Sequence, residues 1–114
     1  MVNVPPPCSI KGAVEWLLKA FRAETAADLR IVYQFDLSGP RGGALWVRVE
    51  SGRLDLGEGT IVGPDVIFRL SADDFYGVLA GRENPDLLFM EERLVVEGDL
   101  SRALTLRRIF QARI

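Results

Sequence analysis

Two spacings of apolar residues alternate along this chain, and the switches between them mark its elements. After Ser9, a candidate N-cap, Ile10, Ala13, Val14, Leu17, Leu18 and Phe21 recur at helical spacing. Lys11, Glu15, Lys19 and Arg22 take the other side, and the pattern predicts a helix ending near Glu24. From Leu29 the period becomes two: Ile31, Tyr33, Phe35 and Leu37 face one way, Val32, Gln34 and Asp36 the other. A turn at 38–43 leads to Leu45, Val47 and Val49, which alternate with Trp46, Arg48 and Glu50. Ser51-Gly52 is a tight turn, and Arg53 to Leu56 alternate again. Three strands on short turns predict an antiparallel meander. Gly57, Gly59, Gly63 and Pro64 mark a loop before a fourth strand with Val66, Phe68 and Leu70 on its apolar face.

Ser71, with Asp74 three residues on, opens a second helix as an acidic form of the capping box. Phe75, Val78 and Leu79 are its inner face and Gly81 its end. Asn84-Pro85 starts a short helix, with Asn as N-cap and Pro at the first position. Leu94 to Val96 make a fifth strand broken at Gly98, and Asp99 or Ser101 caps a last helix. The order α-β-β-β-β-α-α-β-α predicts an α+β fold: a five-stranded, mostly antiparallel sheet with helices packed on one face. Residues 1–9, with Pro5, Pro6 and Pro7, read as an extended leader, and residues 10–114 as one domain.

Composition narrows the function more by exclusion than by assertion. A chain of 114 residues is expected to form one domain, so any cavity must come out of its single core. The net charge of -2 speaks against a general nucleic-acid binder. The absence of His removes Ser-His-Asp and Cys-His nucleophilic sites and, with Cys8 as the sole cysteine, a zinc site. No apolar run approaches a membrane span, and the N-terminus lacks a signal-peptide pattern, so a cytoplasmic protein is the expectation. The C-terminal residues QARI do not form a peroxisomal signal.

The remaining motifs offer little chemistry. Gly57, Gly59 and Gly63 have the wrong spacing for a phosphate loop and precede a strand rather than a helix. Asp73-Asp74 is accounted for by helix capping, and Glu91-Glu92 by an exposed turn. Arg102, Arg107, Arg108 and Arg113 on the last helix suit its negative end, and also suit transient contact with anionic headgroups. What is left is a set of large apolar side chains, which can make either a filled core or the wall of a cavity.

The run Asp74-Phe75, Leu79, Gly81-Arg82, Asn84-Pro85 and Phe89 continues through Arg93-Leu94, Val96, Gly98-Asp99-Leu100, Ala103-Leu104 and Leu106. It resembles the sterol carrier protein 2 (SCP-2) sterol-binding family. Trp46-Val47, Val49, Ser51-Gly52 and Pro64-Asp65-Val66 resemble the family's second strand, its turn and the entry to strand four. The resemblance implies an apolar tunnel between sheet and helices that binds sterols or isoprenoids, fatty acids, fatty acyl-CoA or phospholipids. It implies no catalytic residue, cofactor or metal. The tunnel lining would be drawn from Leu17, Phe21, Phe35, Phe68, Phe75, Leu79, Leu88, Phe89, Leu104 and Phe110. Glu92 departs from the family, which often has Gly there, so a different turn is expected. A member without the extended tail of animal forms is expected, and an Arg-rich, Lys-poor composition points to a prokaryotic origin. The alternative is an accessory module with a collapsed cavity that supports a lipid-pathway enzyme.

Overall fold

A computed structural model describes residues 8–109. The first helix, α1 (Ile10–Ala20), starts where Ser9 Oγ accepts the Gly12 N–H at 3.1 Å. It ends at Phe21, whose backbone is extended, earlier than the expected Glu24. A short 3₁₀ turn, Ala23–Ala26, follows in its place. The buried face of α1 is Ala13, Trp16, Leu17 and Ala20, while Leu18 is 53% exposed. The expected stripe therefore gives way to one rotated around the helix. Ala13 and Leu17 keep their expected place, while Trp16 and Ala20, outside the expected stripe, take the inward position expected of Leu18.

The sheet comprises β1 (Arg30–Ser38), β2 (Gly43–Glu50), β3 (Arg53–Glu58), β4 (Val66–Ser71) and β5 (Val95–Gly98). The spatial order is β3-β2-β1-β4-β5. The β1–β2, β2–β3 and β4–β5 pairs are antiparallel, and β1–β4 is parallel, so the sheet is mixed. The meander of β1 to β3 is as expected, and its second turn places Ser51 (φ 50°) and Gly52 (φ 79°) in the left-handed region. Two successive left-handed residues give the hairpin geometry that matches strand twist.

A parallel β1–β4 pair requires a crossover, and residues 59–65 make it on the side of the sheet away from the helices. Gln34, 4% exposed, holds it. Its Nε2 donates to the carbonyls of Leu45 (3.3 Å) and Gly59 (3.2 Å), and its Oε1 accepts the Ile61 N–H at 3.0 Å. Asp65 then joins the edge of β1: its N–H donates to the Val32 carbonyl and its carboxylate accepts the Val32 N–H, both at 2.8 Å.

The helices α2 (Ala72–Ala80), α3 (Pro85–Met90) and α4 (Leu100–Ile109) complete the order. Each N-terminal cap is the expected polar residue. Ser71 Oγ accepts the Asp74 N–H, Asn84 Oδ1 the Asp86 N–H, and Asp99 Oδ1 the Ser101 N–H, at 2.9–3.0 Å. Gly81 closes α2 in the left-handed conformation, φ 82°. The core lies between this helical layer and the face of the sheet carrying Tyr33, Phe35, Leu45, Val47, Val49, Val66 and Phe68.

Candidate functional site

Period-two alternation brings Phe35 of β1, Phe68 and Leu70 of β4 and Val96 of β5 onto one patch of the inner face. In the ladders Phe35 lies opposite Phe68, and Phe68 opposite Val96. Phe35 and Phe68 stack with ring centroids 5.0 Å apart, and Phe75 of α2 tilts over Phe35 at 5.2 Å. These rings form the floor of a cavity of about 220 Å³.

All four helices supply its walls. Trp16 and Leu17 come from α1, Phe75, Val78 and Leu79 from α2, and Pro85, Asp86 and Phe89 from α3. Leu94 precedes β5, and Leu100, Ala103, Leu104 and Leu106 come from α4. Phe89, Leu100 and Leu104 are each about half exposed while lining the space, so they form its mouth. Asp86 is the one charged residue among the described lining residues, and it too is exposed.

The layers are fixed around this space by buried tyrosines. Tyr33, 0% exposed, donates its hydroxyl to the Arg102 carbonyl at 2.9 Å, tying α4 to the central strand. Burial pushes the pKa of this phenol far above the ordinary tyrosine range, so it remains a donor at any physiological pH. The Arg102 guanidinium donates to the Arg30 carbonyl at 3.1 Å, a second tie at the same end of the helix. Tyr76 of α2 donates to the Arg41 carbonyl at 2.7 Å, and burial raises its pKa as well. Arg93 bridges Asp74 at 2.6 Å and Glu91 at 3.1 Å, holding the turn after α3 against the start of α2.

Of the residues expected to line a tunnel, Leu17, Phe35, Phe68, Phe75, Leu79, Phe89 and Leu104 border the cavity. Leu88 does not: it is 1% exposed, inside the core beneath α3. With fewer than two turns, α3 points one side chain fully inward, and that is Leu88. Phe21 packs half-buried against the core at the end of α1, away from the cavity lining. Phe110 lies outside the described residues. Sequence reasoning did not single out Trp16, Leu70, Val78, Val96 or Ala103 as lining residues. Leu70 and Val78 stood on apolar faces already identified, and Val96 and Ala103 in the run that carries the family resemblance, but their size gave no reason to select them.

The arrangement can do little covalent chemistry. Among the described residues no group of three or more His, Cys, Asp or Glu could hold a metal ion. What it offers is an apolar enclosure with one open side.

Residues 10–111 match the model of the SCP-2 sterol transfer family. Hydroxysteroid dehydrogenase-like protein 2 of Bos taurus is 32% identical over 111 residues, covering 92% of this chain and 26% of its own. The chain thus spans about a quarter of the length of the curated relatives it matches first. Sterol carrier protein 2 from Yarrowia lipolytica, in its apo form, superposes with a TM-score of 0.58 at 26% identity. That match covers 74% of this chain and 69% of the other. The sec-alkylsulfatase Pisa1 from a Pseudomonas species contains the same fold, with a TM-score of 0.79 at 10% identity. There the match covers 90% of this chain and 16% of the sulfatase.

Proposed function

This chain belongs to the SCP-2 sterol transfer family, and on that premise we propose that it binds, and transfers, a lipid between its sheet and helices without catalysing a reaction on it. The observation that carries the reading is the cavity: an aromatic floor, four helical walls and an apolar mouth. Burial of each lipid CH₂ contributes roughly 0.8 kcal/mol, so a long chain or ring system is held without directed contacts. Fatty acids, fatty acyl-CoA, sterols or isoprenoids and phospholipids all meet that requirement.

The volume sets a condition. At about 220 Å³ the cavity is smaller than the roughly 300–1,000 Å³ of ordinary ligand sites. Uptake therefore needs an element to move outward. Helix α4 suits this role, because its Leu100, Leu104 and Leu106 form one wall of the space and Leu100 and Leu104 stand half exposed at the mouth. The half-exposed apolar mouth suits transient contact with a membrane, where a lipid could pass without crossing water. No described helix is long and apolar enough to cross a membrane.

Native mass spectrometry of the purified protein tests the reading. Co-purified lipid, or uptake of an added sterol, acyl chain, phospholipid or isoprenoid quinone, is expected. A protein that remains ligand-free across that panel overturns it. The small cavity and the larger size of the relatives favour one other reading, an accessory module in which the space is vestigial. That module would bind its enzyme partner equally well with the cavity filled by mutation.

A further inference from the structure

The row of residues under the cavity stops at a definite strand. Val96 of β5, Phe68 of β4 and Phe35 of β1 lie opposite one another in the ladders. They carry the floor across two strand spacings, about 10 Å. Leu45 of β2, next in that row opposite Phe35, is fully buried and does not border the space. Helix α1 covers that part of the sheet, packing against β2 and β3. Its contribution to the cavity wall is Trp16 and Leu17, 7% and 4% exposed. The half-exposed residues at the mouth, Phe89, Leu100 and Leu104, come from α3 and α4. The cavity is thus open on the α3–α4 side and closed where Trp16 stands.

Building on the lipid-binding reading, we propose that Trp16 is the stop for a tail inserted from the mouth, and that it sets the length of chain the cavity holds. It is the larger of the two α1 residues, and a rigid indole yields less to an incoming chain than a flexible side chain would. The stop also keeps its place during uptake, because α1 is packed on the β2–β3 hairpin while the wall that moves is α4. Methylenes that fit between the mouth and Trp16 exchange water for apolar wall. Those in excess stay at the mouth and add little. Affinity should therefore climb by about fourfold per methylene, equivalent to about 0.8 kcal/mol, and then level off.

The test follows displacement of the fluorescent probe N-phenyl-1-naphthylamine by saturated fatty acids from hexanoate to palmitate, below their micellar concentrations. A break in the gain per carbon is expected for the unaltered protein. An aromatic side chain buries about 150–250 Å² and a methylene about 30 Å², so Trp16→Ala should move the break by about four carbons and Trp16→Leu by about two. Trp16→Leu, the milder change, carries the measurement where Trp16→Ala does not fold. A second measurement leaves Trp16 unaltered. Trp46 stands on the other face of the sheet beside Gly57, so Trp46→Phe leaves Trp16 as the only tryptophan. Its emission should then be quenched more strongly by 12-bromododecanoate than by 2-bromododecanoate. A gain that continues unbroken to palmitate, or a break that neither substitution moves to longer chains, overturns the inference and leaves the lipid-binding reading intact. So does equal or stronger quenching by the 2-bromo acid. Failure of every homologue to displace the probe overturns the inference together with the reading on which it rests.

Discussion

Glu92 holds φ at 62° in the turn between α3 and β5, a conformation that costs a residue with a Cβ and favours glycine. The turn is thus of the glycine type even though glutamate occupies it, contrary to the expectation that the substitution would alter the turn. Glu92→Gly should therefore stabilise the protein, by about 0.5–1 kcal/mol in urea unfolding. Tyr33 makes the opposite case. Tyr33→Phe keeps the stacking on Phe68 but removes the hydroxyl bond to the Arg102 carbonyl that ties α4 to the sheet. A loss of about 1–2 kcal/mol is expected, with amide exchange accelerated first in the N-terminal turns of α4. The position of Glu92 was flagged by the family resemblance, but the role of Tyr33 was hidden in the sequence, where it was one more inward residue of a strand. Its hydroxyl partner lies 69 positions away, and no local pattern reports on such a pair.

At the level of elements, strands and caps were readable because each depends on residues within a few positions of one another. The meander, the Ser71, Asn84 and Asp99 caps and the Gly81 stop all belong to that class. The parallel β1–β4 pair does not, and neither does the side of the sheet taken by the crossover, which a buried glutamine decides. Gln34→Ala should cost about 1–3 kcal/mol, because its bonds to the Gly59 carbonyl and the Ile61 N–H, which hold the crossover, are lost. Limited proteolysis should then cut first between Gly59 and Asp65. The α4 cap carries a pH signature. The Asp99 carboxyl is held below the usual carboxylate range, first by the Ser101 hydroxyl and then by the Arg102 N–H. Its contribution is fully present above its ordinary pKa of about 3.9 and is lost as pH falls through the lower folded value. Asp99→Asn should flatten that part of the acid-unfolding curve, read by circular dichroism.

For the whole molecule, the decisive quantity is the empty space between the layers, which apolar pattern alone could not separate from a filled core. Ala103 faces it from α4 with the smallest side chain of the wall. Ala103→Phe should abolish lipid uptake while circular dichroism stays native, with a stability change within about 1–3 kcal/mol of overpacking. Strand β1 carries a consequence of a different kind. It lies at the centre of the sheet, with β2 on one side and β4 on the other. During synthesis the β2 side is satisfied once residue 50 has emerged, whereas the β4 side waits for residues 66–71. Until then the nascent meander presents the second edge of β1, with Tyr33 and Phe35 along it, as a template for a neighbouring chain. Asp65, which binds the Val32 backbone at both its donor and its acceptor, is the first residue to close that edge.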